Sequence, residues 1–151
     1  MDFPAPFDEF RAHVLPEWID YNGHMNVAYY MLVFDLATDC FYNAVGCGQE
    51  YKEKGPYSTF TLEGHITYER ELRLGDPIRC VTYFIGFDAK RLHYFHEMYH
   101  AEEGYLAATN ELLAIHVDMT QRRSAALPDW LYRRFSQVRA RHDPLARPPQ
   151  A

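Results

Sequence analysis

Between Val27 and Val45 the chain carries apolar residues on nearly every side of a helix-length segment, and this limits what the rest can do. The polar residues of the segment, Asp35, Thr38, Asp39, Tyr42 and Asn43, recur at three- and four-residue steps and so form one narrow stripe. A helix with so wide an apolar face must be covered on most sides, so the remaining chain is expected to wrap it. Asn26 suits the N-cap, and Gly46 and Gly48 stop the helix. Asp35 and Asp39 interrupt the apolar run, which argues against a membrane span.

The material for wrapping lies downstream. Four runs, Ser58 to Leu72, Ile78 to Phe87, Arg91 to Ala101 and Tyr105 to Met119, read as strands. The turns between them are Gly75-Asp76-Pro77, Asp88-Ala89-Lys90 and Glu102-Glu103-Gly104, a spacing that predicts antiparallel hairpins. Strands this long can curl around a helix of about 28 Å at 1.5 Å per residue. Phe10 to Ile19 reads as a first strand with Pro16 near a bulge or edge, residues 1–8 as coil, and Gly48 to Tyr57 as a polar loop. Leu127-Pro128-Asp129-Trp130 opens a short helix to about Arg141, with Leu131, Phe135 and Val138 along one face. A long antiparallel sheet wrapped around one buried helix is the hot-dog architecture, an α+β fold; a generic α+β sandwich is the rival. One domain over residues 1–142 is expected, and the proline-bearing tail 143–151 is expected to be disordered.

Composition narrows the function. A chain of 151 residues with 48% apolar and 24% charged residues has the size and balance of one globular domain. The net charge of −6, with no basic block, speaks against a nucleic-acid partner. Cys40, Cys47 and Cys80 lack metal-ligand spacing and read as reduced core thiols. Met1-Asp2-Phe3-Pro4 has neither the basic nor the apolar region of a signal peptide, so a reducing cytoplasm is the expected compartment.

Immediately before the helix stands Asp20-Tyr21-Asn22-Gly23-His24-Met25-Asn26. A carboxylate and an imidazole at a helix N-terminus make a place where negative charge is held and water activated, which points to a hydrolase. Asp20 can act as covalent nucleophile or general base, and His24 can donate to a carbonyl, orient water or protonate a leaving group. Backbone N–H groups near Gly23, His24 or Met25 are the expected oxyanion donors, and Gly23 lets that backbone approach a ligand. Asn26 orients Asp20 or the water, or serves only as the cap. Strand alternation puts Glu63 and His65 on one face with Thr59, Thr61 and Thr67, facing either solvent or a partner subunit's site. Alternation also sets His93 opposite His96 and His100, so no metal site is expected there. Lys90, Arg91, Arg122 and Arg123 sit at turns, as solvated charges or as contacts for phosphates.

The motif Asp20 to Asn26 with the following Val27-Ala28-Tyr29-Tyr30 resembles the signature of the 4-hydroxybenzoyl-CoA thioesterase-like branch of the hot-dog superfamily. Its D-x-N-x-H-x-N spacing also looks like that of plant acyl-ACP thioesterases. Ile66 to Asp76 resembles the same family's second strand and Gly-Asp turn. The likeness covers roughly Val14 to Met119. It implies hydrolysis of an acyl-CoA thioester without a cofactor, by a homodimer or a dimer of dimers with sites at the subunit interface. Asp20, His24 and Asn26 are then the expected catalytic residues, and Gly23, Met25, Tyr29, Glu63 and His65 the expected substrate contacts. The chain departs from the 4-hydroxybenzoyl-CoA type, in which Pro-Ala-Gly follows the Asp and no His follows the Gly. It also resembles the subgroup that hydrolyses betainyl-CoA in carnitine degradation, whose quaternary ammonium would suit an aromatic cage. The alternatives of another class are a hot-dog module that holds acyl-CoA without cleaving it, and a hot-dog dehydratase.

Overall fold

The computed structural model describes residues 2–145. Helix α1 spans Val27–Val45, and both ends are fixed by the residues expected there. Asn26 accepts a hydrogen bond from Ala28 N through its side chain, and Gly46 closes the helix in the left-handed region at φ 113°. Around α1 curls one antiparallel sheet of β1 (Phe7–His13), β2 (Tyr57–Tyr68), β3 (Pro77–Phe87), β4 (Arg91–His100), β5 (Leu106–Asp118) and the two-residue β6 (Arg123–Ser124). The strand order is β1-β3-β4-β5-β2, with β6 paired to β5, so β2 is an edge strand. This is the hot-dog architecture.

Two short elements differ from the sequence reading. The first strand ends at His13, and Pro16–Trp18 forms a 3-10 turn instead of continuing it. Proline supplies the φ that a helical first position needs and has no N–H for a ladder. The polar loop after α1 contains a helix, α2 (Gln49–Lys54), supported by the i,i+4 pairs Gln49–Glu53 and Glu50–Lys54.

The core forms two clusters along α1. Val33, Phe34 and Ala37 of its first half pack with Trp18, Met25 and Leu72. Phe41, Tyr42 and Val45 of its second half pack with Phe7, Phe84 and the face Leu131, Phe135, Val138 of α3 (Asp129–His142). Arg134 of α3 donates to Val45 O at 2.7 Å and so satisfies a carbonyl at the end of α1. At the far end of α3, the backbone of Asp143–Leu145 closes a turn, Leu145 N donating to His142 O. The expected disordered tail otherwise lies outside the described residues.

The expectation that the helix would be covered on most sides needs correction. Thr38 and Tyr42 leave the polar stripe and turn inward, Tyr42 toward the Tyr94 hydroxyl and Thr38 toward His96. Thr38 Oγ1 donates its only proton to Phe34 O, so it accepts from His96 Nε2–H at 2.8 Å. His96 Nδ1 therefore accepts from Thr82 Oγ1, also at 2.8 Å. Apolar Val27, Met31, Leu32 and Leu36 remain exposed beside Asp35 and Asp39.

A second correction concerns β2. Thr61 opposes Ala114 and Glu63 opposes Leu113, so Leu62 is an extra residue in a bulge. The bulge reverses the alternation. Thr59 and Thr61 face α1, whereas Glu63, His65 and Thr67 face away from it, so the five do not share a face.

Candidate functional site

Ile19 and Met25 bridge as antiparallel partners, so Asp20 and His24 stand opposite each other one rung further on. Gly23 N donates to Asp20 O and Asp20 N to His24 O, each at 3.0 Å, enclosing a three-residue loop, Tyr21-Asn22-Gly23. Gly23 takes φ +84°, the left-handed position that such loops place third. Its conformation explains the glycine without any ligand. Because Met25 is buried and its face turns to the core, Asp20 and His24 share the outward face. Opposed residues of this kind have Cβ atoms about 5 Å apart, room for a water or a carbonyl to meet both side chains. No side-chain hydrogen bond joins them directly among the described residues.

Asp20 Oδ1 accepts from Asn22 N at 2.8 Å, which orients the carboxylate and leaves Oδ2 outside the loop's hydrogen bonds. The candidate oxyanion donors narrow. Gly23 N is used within the loop, Met25 N donates to Leu72 O and Asn26 N to Trp18 O. The loop's hydrogen bonds use neither His24 N nor Val27 N, and these flank the positive end of α1. Asn26 is committed to capping, its Oδ1 2.9 Å from Ala28 N.

Aromatic rings surround this corner. Tyr29 stacks on Trp18 with centroids 5.9 Å apart, and Tyr30 meets Tyr68 edge-on at 5.3 Å. Burial raises the Tyr30 hydroxyl pKa, against a lowering by the Leu72 N–H that donates to it. Tyr21 projects almost wholly into solvent. Met25 belongs to the core rather than to this surface.

Glu63 and His65 are not brought to the motif within one chain. They line a shallow cavity on the outer face of the sheet with His93 and Glu111, where His93 Nε2 lies 2.7 Å from Glu111 Oε2. His96 and His100 point inward and are buried, as alternation requires, and no group of metal-ligating side chains converges among the described residues. Burial pushes the thiols of Cys40, Cys47 and Cys80 upward, Cys47 to about 12, which leaves them unreactive. The basic residues separate. Arg91 is held by Asp88 at 2.6 Å, while Arg122 and Arg123 flank a cavity of about 280 Å³ floored by Phe60, Ile115 and Met119, with Lys90 Nζ 3.3 Å from Ser124 at its rim. No helix among the described residues is long and apolar enough to cross a membrane.

A residue that sequence reasoning missed is Glu71, whose Oε2 lies 2.7 Å from His24 Nδ1. The signal was present only as an acid in the stretch leading to the Gly75-Asp76 turn.

A helix cradled in a curled sheet, with acid and imidazole opposed at its amino end, is an arrangement able to hold and hydrolyse an acyl thioester. A family model described as the thioesterase-like superfamily matches residues 14–135, and the chain belongs to that superfamily. It is a thioester hydrolase. A betainyl-CoA thioesterase of Pseudomonas aeruginosa is 34% identical over 139 residues, covering 92% of this chain and 87% of that protein. An L-carnitine dehydrogenase/betainyl-CoA thioesterase of Agrobacterium fabrum is 34% identical over 142 residues; the match takes in 94% of this chain but spans only 28% of that longer protein. A Staphylococcus aureus protein solved in complex with CoA superposes with a TM-score of 0.87 at 31% identity, covering 98% of this chain and 94% of its own.

Proposed function

We propose that this thioester hydrolase cleaves a small acyl-CoA, with betainyl-CoA the leading candidate, and that Asp20 and His24 do the chemistry. The opposition of these two side chains across the Tyr21-Asn22-Gly23 loop carries the reading. Asp20 takes a proton from water as the oxygen attacks the thioester carbon. The N–H groups of His24 and Val27, at the positive end of α1, receive the oxyanion. The C–S bond breaks, and the proton held by Asp20 passes through His24 Nε2 to the departing sulfur, giving free acid and CoA. Tyr29, half-buried against Trp18, and Tyr68, half exposed against the buried Tyr30, offer π-faces suited to a quaternary ammonium, and the relatives named for betainyl-CoA favour that acyl group.

Self-association belongs to the same reading. β2 is a long edge strand carrying Phe60 and Leu62, each about half exposed, and α1 leaves Met31, Leu32 and Leu36 uncovered beside it. A second copy laid on this edge and helix face in a homodimer would cover both, which favours a site shared between subunits.

The test is thiol release from a panel of short, aromatic and quaternary-ammonium acyl-CoAs. Betainyl-CoA is expected to be the best substrate, and Asp20→Asn is expected to lose at least about 100-fold in kcat while keeping the fold. Absence of thiol release across the panel refutes the substrate class. Near-normal turnover in Asp20→Asn removes Asp20 from the mechanism.

A further inference from the structure

We infer that Glu71 is a positioning residue for His24: it accepts a hydrogen bond from Nδ1–H, fixes the ring, and so leaves Nε2 as the nitrogen that meets the thioester. The inference rests on the thioesterase reading of the Asp20–His24 loop and adds a third member to it.

The contact itself is short, Glu71 Oε2 to His24 Nδ1 at 2.7 Å. An exposed ion pair of this kind is usually worth under about 1 kcal/mol, and both side chains are partly open to solvent. What distinguishes this pair is how the chain delivers it. Residues 70–74 return beneath the motif after β2 has left the sheet edge, and they are stitched on both sides of the acid. Leu72 O accepts from Met25 N at 2.9 Å, Leu72 N donates to the Tyr30 hydroxyl at 3.2 Å, and Glu71 O accepts from the Tyr105 hydroxyl at 2.8 Å. Leu72 is fully buried in the core cluster that holds Met25 and Tyr30. Glu71 and His24 are therefore anchored to one rigid patch, and little further ordering is needed to bring them together.

Hydrogen-bond accounting does the rest. A carboxylate only accepts, so Nδ1 must carry the proton in the pair. In a neutral imidazole that makes Nε2 the lone-pair nitrogen, across the ring from the nitrogen that Glu71 holds. A lone pair there can receive the proton that Asp20 takes from water and hand it to the leaving sulfur. During that transfer the ring is briefly cationic, with the Glu71 carboxylate held 2.7 Å from its Nδ1. The arrangement places acid, imidazole and substrate in the same order of roles as other carboxylate-oriented histidines.

The experiment compares Glu71→Ala, Glu71→Gln, His24→Ala and the double variant Glu71→Ala/His24→Ala in the full chain. Melting curves confirm folding, and thiol release from the best acyl-CoA of the panel is the readout. Glu71→Ala is expected to lower kcat on the order of 100-fold with KM within about twofold of wild type. Adding it to His24→Ala is expected to cost nothing more, because the two act as one unit. Long-range ¹H–¹⁵N spectra of the imidazole are expected to show His24 protonated at Nδ1 in wild type and in Glu71→Gln, and at Nε2 in Glu71→Ala. A purely structural Glu71 would leave the tautomer unchanged or would lower turnover equally with and without His24, and either result overturns the proposal. Failure of the underlying thioesterase reading looks different, since the wild type itself then releases no thiol.

Discussion

Acid should loosen this fold through His96, and the size of the effect follows from its surroundings. The ring is fully buried, stacked on Phe34 at 5.8 Å, and both nitrogens are bonded to threonine hydroxyls rather than to carboxylates. Burial without a counter-charge lowers its pKa from 6.5 to about 3. Between these values the unfolded chain binds a proton at His96 and the folded chain does not, so stability is lost as pH falls from 6.5 toward 3. At pH 4.5, two units below the unfolded value, the loss from this residue is roughly 2–3 kcal/mol, a sizeable part of a typical domain's stability. Urea unfolding of wild type and of His96→Gln at pH 7 and pH 4.5 measures it. His116, also lowered by burial, contributes to both proteins and cancels in the comparison. Wild type is expected to lose roughly 2–3 kcal/mol more than the variant between the two pH values. An equal loss in both, or a His96 ring that is protonated in the folded protein at pH 4.5, would falsify the reasoning.

Three further outcomes follow from the site and its edges. Replacing Arg122 and Arg123 together by alanine should raise KM for an acyl-CoA about tenfold through lost phosphate contacts, yet leave KM for the matching N-acetylcysteamine thioester unchanged; equal effects on both substrates would exclude a phosphate role. Leu62→Lys on the exposed edge of β2 should shift the protein toward a monomer in analytical ultracentrifugation, and an unaltered mass would argue against association through that edge. Asn26→Ala removes the cap of α1 and should cost about 1 kcal/mol, seen as a fall in Tm of about 3 °C; an unchanged Tm would show that the bond to Ala28 N adds nothing.

The long elements were legible because each carries its own punctuation. Asn26 and Gly46 bracket α1 by hydrogen-bond and φ requirements that are local to the sequence, and the Asp88-Ala89-Lys90 and Glu102-Glu103-Gly104 turns mark the β3–β4 and β4–β5 hairpins; the hairpin expected at Gly75-Asp76-Pro77 does not form, because β2 pairs with β5 and β3 with β1 and β4. The Asp20–His24 constellation was legible for the same reason, since one short loop holds both side chains. What escaped depends on distant chain or on register. Nothing local says that Glu71 returns beneath His24. The bulge at Leu62 has no glycine or proline to announce it, and without it simple alternation puts Glu63 and His65 on the same face as Thr59 and Thr61. The α2 helix had a signal, its Gln49–Glu53 and Glu50–Lys54 pairs, but in a segment too short and polar for periodicity to speak.

That extra residue at Leu62 gives one strand two unrelated faces. Before it, substitutions on the inward side disturb the lining of α1; after it, the same alternate positions report to the outer surface. Deleting Leu62 would close the ladder with Thr61 still against Ala114 and Glu63 still against Leu113, so both halves of β2 would keep their facing and only the bulge would be lost. The strand should therefore tolerate the loss of this one residue, a change that in a regular stretch of ladder would invert every side chain beyond it.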